Sequence, residues 1–128
     1  MKHWIPSILF ALIIFFLSSQ SHLPGADMAP DYVEHFLCYG VFALTVVWGV
    51  TGGLRRRLTP KLVAAAFFIT SLYGATDEFH QYFVPGRDCS LSDLLADALG
   101  GTCFILLGFL AVRLWLRRTT AAVPPESA

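Results

Sequence analysis

Four stretches of the chain are apolar enough to predict helices, and turn-forming residues separate them. The first runs from Trp4 to about Ser19, followed by a loop from Gln20 to Pro30 that contains Pro24-Gly25. The second runs from about Asp31 to Thr51. There Gly52-Gly53 and the triplet Arg55-Arg56-Arg57 supply the usual stop signals, glycine beyond a helix and cations at its carboxyl end. Pro60 opens the third, Lys61 to about Val84, which is apolar from Leu62 to Tyr73 and polar from Gly74 to Tyr82. Pro85-Gly86 then predicts a type II turn, in which proline presets one dihedral and glycine takes the positive one. Ser90-Leu91-Ser92-Asp93 predicts a capping box, with Ser90 as N-cap and Asp93 at N3, opening a fourth helix that runs to about Leu116. The tail from Thr119 carries Pro124-Pro125 and no apolar periodicity, and is expected to be flexible.

Composition turns these helices into candidate membrane spans. Hydrophobic residues make up 55% of the 128 and charged residues 14%, against roughly 45–50% and 25% in soluble domains. A soluble fold of this size would lack the polar surface to cover itself. The first apolar run is short for a span, and its basic start and Ser-Gln-Ser end also fit a signal peptide. Eight of the nine basic residues fall in three places: Lys2, the Arg55–Arg57 run with Lys61, and Arg113 with Arg117 and Arg118. Basic flanks stay in the cytoplasm. Four spans with both termini inside put all three clusters there, and the opposite orientation fails at each. Removing the first segment would leave the second starting outside, so charge alone does not separate those two cases. The fold expected is an all-α, four-transmembrane-helix bundle, multi-pass in the plasma (inner) membrane.

Eight of the nine acidic residues avoid the basic clusters: Asp27, Asp31, Glu34, Asp77, Glu78, Asp88, Asp93 and Asp97. Asp77 is sixteen residues from Lys61, Asp97 sixteen from Arg113 and Tyr39 sixteen from Arg55. At 1.5 Å per residue each lies about 24 Å from the cytoplasmic edge, roughly 6 Å below the outer edge of a ~30 Å core. Spacing sharpens the pattern. Asp31, His35 and Tyr39 form one i, i+4 stripe; Tyr73, Asp77 and Gln81 another, flanked by Glu78 and His80; Asp93, Asp97 and Gly101 a third. Such stripes avoid lipid, so they are expected to face one another or a water-filled vestibule. Ala96, Gly100 and Gly101 would let a neighbouring backbone approach closely. Arg87 is the one cation among the acids, with Asp77, Glu78 or Asp93 as expected partners.

A plain structural role, helix ends fastened by ion pairs, accounts for part of this cluster. Two histidines, several carboxylates and one arginine exceed that need and suggest a binding or catalytic site. The ligand types for a metal are present, but no metal spacing such as HExxH occurs, and no metal or other cofactor is expected. Cys38, Cys89 and Cys103 form no CxxC and read as small apolar filler. The basic runs are membrane flanks, so nucleic acid is not an expected partner.

The run from Asp77 to Arg87 reads Asp-Glu-Phe-His-Gln-Tyr-Phe-Val-Pro-Gly-Arg and is followed by Ser90, Asp93 and Gly100-Gly101. With Asp31-x-x-x-His35-x-x-x-Tyr39 and Phe16-Leu17-Ser18-Ser19-Gln20, it resembles the VanZ-like family over about residues 5–110. The resemblance implies a transmembrane domain over 1–118 that retains its first helix, with a flexible cytoplasmic tail over 119–128. It also implies a link to teicoplanin resistance or envelope homeostasis, by a mechanism the family leaves unsettled. Two positions depart from the family pattern: Tyr32, where a lysine is usual, and Asp97, where an asparagine is frequent.

Two functions are expected from these residues. One is a binding protein holding a lipid headgroup, or the lipid-proximal part of a lipoglycopeptide, among Asp31, His35, Tyr39, Asp77, Glu78, His80, Gln81, Arg87, Asp93 and Asp97. Arg87 would contact the anion, because its planar fork suits phosphate or carboxylate. The other is a membrane-embedded enzyme acting on a lipid-linked or cell-wall substrate, with Glu78 or Asp97 as acid or base and His35 or His80 as proton shuttle. The expected partner is a membrane lipid or lipid-linked small molecule, with an oligomer or a membrane-protein partner as a further option.

Overall fold

The computed structural model describes residues 1–21 and 30–121, with side chains as far as Ala111. A 3₁₀ turn over Lys2–Trp4 leads into four helices: α1 (Ile5–Ser18), α2 (Asp31–Val50), α3 (Pro60–Gln81) and α4 (Leu91–Ala121). No strand occurs among the described residues. Loop positions 22–29 with Asp27, the side chains of Arg113, Arg117 and Arg118, and the tail from 122 onward lie outside them.

The helix boundaries follow local chemistry. The Thr59 hydroxyl accepts the Leu62 N–H, and Pro60 occupies the first helical position, where a missing N–H costs nothing. α2 stops at Gly52 and Gly53, which have φ of 63° and 74°. Arg87 N–H donates to the Val84 carbonyl at 3.1 Å and Gly86 takes φ 82°, the hydrogen bond and positive dihedral of a type II turn. α3 ends at Gln81, three residues short of the expected Val84, because the chain is already turning into this reversal. α4 continues to Ala121 rather than stopping near Leu116, since the first residue unable to sustain a helix is Pro124.

The capping box needs correction. Ser90 Oγ accepts the Ser92 N–H at 3.2 Å, so Ser90 does cap α4. Its own N–H, which Asp93 was expected to satisfy, donates instead to Glu78 Oε2 at 2.9 Å. A carboxylate from α3 thus takes the reciprocal role, and Asp93 is free to turn into the interior, where it is buried.

Small residues set the distances between helices. A Cβ on Gly100 would lie 2.0 Å from the Phe36 carbonyl oxygen, so α2 and α4 touch backbone to backbone. Nearby, a Cβ on Gly40 would meet the Phe104 ring at 2.5 Å. α1 is fastened by Ser7 Oγ donating to the Thr45 carbonyl at 2.8 Å and by the Tyr73 hydroxyl donating to the Ala11 carbonyl at 2.6 Å. Ile14, Phe42, Ala43, Val46, Ala66 and Ile105 fill the centre between them.

The distribution of polarity is the reverse of a soluble protein's. Ile8, Leu12 and Phe16 on α1, Leu37 and Trp48 on α2, Phe68 and Leu72 on α3, and Leu99 and Leu107 on α4 are all exposed. His35, Asp77, Glu78, Gln81, Asp93 and Asp97 are buried. Soluble monomers rarely expose apolar patches beyond a few hundred Å². Among the described residues, two helices are long and apolar enough to cross a membrane: α2, with 20 residues, and the first 21 residues of α4, Leu91–Ala111.

The Gly100 contact yields a prediction. Gly100→Ala forces two backbones apart and is expected to destabilise by about 3 kcal/mol or more. Gly108→Ala meets only the flexible tip of Leu44 at 3.1 Å and is expected to change little. Thermal melting of the purified proteins in one detergent gives the comparison, and equal melting temperatures would refute the backbone contact.

Candidate functional site

The polar side chains converge at the end of the bundle formed by the C-termini of α1 and α3 and the N-termini of α2 and α4. The last polar turns of α3 and the first turns of α2 and α4 reach the same level there. The convergence therefore follows from where the hydrophilic positions fall along each helix.

His35 is the hub. Its Nδ1 lies 2.9 Å from Asp97 Oδ1 on α4 and 3.6 Å from Glu78 Oε1 on α3. Its Nε2 lies 4.0 Å from Asp31 Oδ1, one turn earlier on α2. The ring lies parallel to Tyr39, with centroids 6.2 Å apart and planes inclined by 8°. Asp97 is wholly buried, and its carboxylate rests against Gly74 of α3, where a Cβ would come within 2.7 Å of Oδ2. On α3, Gln81 Nε2 donates to Asp77 Oδ2 at 3.1 Å, which fixes both side chains.

Two expected members lie elsewhere. His80 stacks on Phe15 at 4.6 Å and exchanges a 3.0 Å hydrogen bond with Ser19 Oγ, so it faces α1 rather than the carboxylates. It sits one helical step beyond the α3 stripe, and that rotation carries it to the neighbouring helix. Arg87 does not reach Asp77, Glu78 or Asp93; the carboxylate beside it is Asp31, 3.9 Å from Nη1. The Pro85-Gly86 turn carries Arg87 over the start of α2. Asp31, with a half-exposed side chain, therefore forms the lip of the site and not part of its floor.

A cavity of about 170 Å³ opens between α1, α2 and α3. Arg87, Asp31, His35, Tyr39, Asp77 and Gln81 line its polar side. Ile14, Leu17 and Ser18 of α1, with Glu34 and Cys38 of α2, complete the wall, and sequence reasoning had assigned none of them to the site. Glu34 and Cys38 were legible in principle, since each lies three residues beyond a member of the α2 stripe. The α1 residues carry no polar periodicity that could have marked them. On the opposite flank of α2, Tyr32, Val33, Phe36 and Leu37 face Leu95 and Leu99 across an apolar cavity of about 600 Å³.

Several buried polar atoms here have no hydrogen-bond partner: the Tyr39 hydroxyl, Asp77 Oδ1, Glu78 Oε1, Asp97 Oδ2 and Arg87 Nε. Unsatisfied buried groups cost about 1–3 kcal/mol each, and these gather at one end of the bundle. Fold and site together define a four-helix protein with an apolar exterior and an interior centre of carboxylates around one imidazole. The chain belongs to the VanZ/LLP1 family, whose sequence model matches residues 3–116. Neither the curated proteins nor the solved structures searched contain a match.

Removing the hub leaves carboxylates buried without their common partner. His35→Ala is expected to cost about 3–5 kcal/mol, the usual penalty for breaking a buried ion pair. His35→Ala with Asp97→Asn is expected to recover a large part of that loss. Melting temperatures of His35→Ala, Asp97→Asn and the double variant measure the coupling, and strictly additive losses would argue against the contact.

Proposed function

We propose that this chain is a four-span plasma-membrane protein that holds an amphiphile's polar headgroup in a vestibule at its outer end. Both termini lie in the cytoplasm, and the three basic clusters flank the inner ends of the spans. The exposed aromatic group of Phe79, Tyr82 and Phe83 sits at the outer interface, where aromatic belts form. α1 measures about 21 Å over its 14 residues and spans by continuing through its 3₁₀ turn and thinning the bilayer locally.

The observation that carries this reading is the cavity, in which Arg87 stands beside Asp31 and shares the lining with Asp77 and Gln81. An arginine suits a phosphate or carboxylate, and the acids lining the same cavity suit an ammonium. A zwitterionic aminophosphate headgroup presents both. Size decides between the ligands: about 170 Å³ is well below the roughly 300–1,000 Å³ of sites that enclose a drug-sized molecule. The vestibule therefore takes a headgroup, or only the lipid-proximal end of a lipoglycopeptide. Any resistance to teicoplanin-type drugs follows from that occupancy.

A second reading rests on the buried His35–Asp97 contact with Glu78 close by, an arrangement able to move a proton. In it the chain is an enzyme acting on a lipid-linked or cell-wall substrate, with Glu78 or Asp97 as acid or base. His35 serves as the shuttle, because His80 faces α1.

Native mass spectrometry of the protein released from vesicles of phosphatidylethanolamine and phosphatidylglycerol tests the headgroup reading. Wild type is expected to retain phosphatidylethanolamine, and Arg87→Ala and Asp77→Asn to lose it at least tenfold while still inserting. In a susceptible host the same variants are expected to abolish any teicoplanin resistance that wild type confers. Equal retention by all three proteins would overturn the proposal, and a newly modified lipid or wall precursor on expression would favour the enzyme. For topology, alkaline phosphatase fused after Asp88 is expected to be active and fused after Arg57 inactive, and the reverse result would invert the orientation.

A further inference from the structure

Among the described residues, the carboxylates around His35 outnumber the charges placed to balance them. Asp77, Glu78, Asp93 and Asp97 are each at least nine-tenths buried. His35 is the imidazole among them, and the Arg87 guanidinium lies out beside Asp31. Buried charges persist when paired or when they coordinate a metal.

We infer that His35, Glu78 and Asp97 form a binding site for a divalent transition-metal cation, zinc foremost. Their ligand atoms lie within 4.8 Å of one another. The separations from His35 Nδ1 are 2.9 Å to Asp97 Oδ1 and 3.6 Å to Glu78 Oε1. A tetrahedral ion with bonds of about 2.05 Å holds its ligands about 3.3 Å apart, so the observed distances bracket the requirement. The closer contact needs to open by only a few tenths of an ångström.

Unpartnered carboxylate oxygens accompany this geometry. Glu78 is held by Oε2, which accepts the Ser90 N–H at 2.9 Å, and this leaves Oε1 unpartnered on the His35 side. Asp97 Oδ2 is unpartnered as well, in a wholly buried side chain. On the far side of the imidazole, Asp31 Oδ1 stands 4.0 Å from Nε2, outside hydrogen-bond reach. One nitrogen with two carboxylate oxygens favours a transition ion over magnesium or calcium, which take oxygen ligands. Three protein ligands leave a fourth position for water or another small ligand.

The site goes beyond the headgroup reading and is tested without lipid. Arg87 is not a ligand, so loss of one property leaves the other measurable. The full-length protein, purified in detergent, is loaded with zinc and dialysed against a weak chelator before elemental analysis. Wild type and Asp88→Asn, which alters an exposed acid, are expected to keep about one zinc per chain. Glu78→Gln and Asp97→Asn are expected to retain at least tenfold less. Should a variant fold poorly, the cobalt form of wild type decides by itself: a tetrahedral site gives intense visible absorption that added zinc abolishes. Wild type without bound zinc and without that absorption, or Asp97→Asn retaining zinc as well as wild type, would overturn the inference and leave protons as the counter-charge of the buried acids.

Discussion

The contact between Gly100 and the Phe36 carbonyl governs the geometry of the polar end. Phe36 adjoins His35, and Gly100 lies three residues from Asp97 on the same face of α4. When the two backbones touch at this point, the His35 imidazole reaches the Asp97 carboxylate at 2.9 Å. A side chain at position 100 would separate the helices by more than a hydrogen bond tolerates. Gly74 does the same for α3 by letting it close over Asp97. Two glycines therefore set the distances among three chemically active side chains on three helices.

Packing this tight has an energetic consequence. Small residues at helix crossings let the backbones come into close van der Waals contact. Many large apolar side chains point outward, and at one end of the bundle carboxylates share the interior with the apolar core of Ile14, Phe42, Val46 and Ile105. Those carboxylates are costly unless neutralised by a proton, an imidazole or a cation. That cost is why an unbalanced cluster is more informative here than a pocket of similar size lined by apolar groups.

The cavity and the buried centre meet at His35. Its Nε2 side faces Asp31 at the lip, where Arg87 also stands, and its Nδ1 side faces Glu78 and Asp97. The ring therefore lies between the lip and the Glu78 and Asp97 carboxylates, while Asp77 lines the cavity directly. Arg87 arrives on a turn that links α3 to α4, and Glu78 caps α4 from α3, so the same short segment shapes both the lip and the floor.

Much of this was legible from residue order. Helix number, the proline and glycine stops, the type II turn and the level shared by Tyr39, Asp77 and Asp97 follow from periodicity and a fixed rise per residue, which are local properties. The family was legible too, from the run between Asp77 and Arg87. What stayed hidden depends on how helices rotate and cross. Nothing along the chain says that His80 turns toward α1, that Glu78 rather than Asp93 caps Ser90, or that Arg87 stands over Asp31. Nor does the chain mark Ile14 and Leu17 as walls of the cavity that Arg87 and Asp31 share. Spacing determines which side chains share a face, but the partner of that face is chosen by interhelical contacts such as Gly100 on Phe36, and those exist only once the helices have packed.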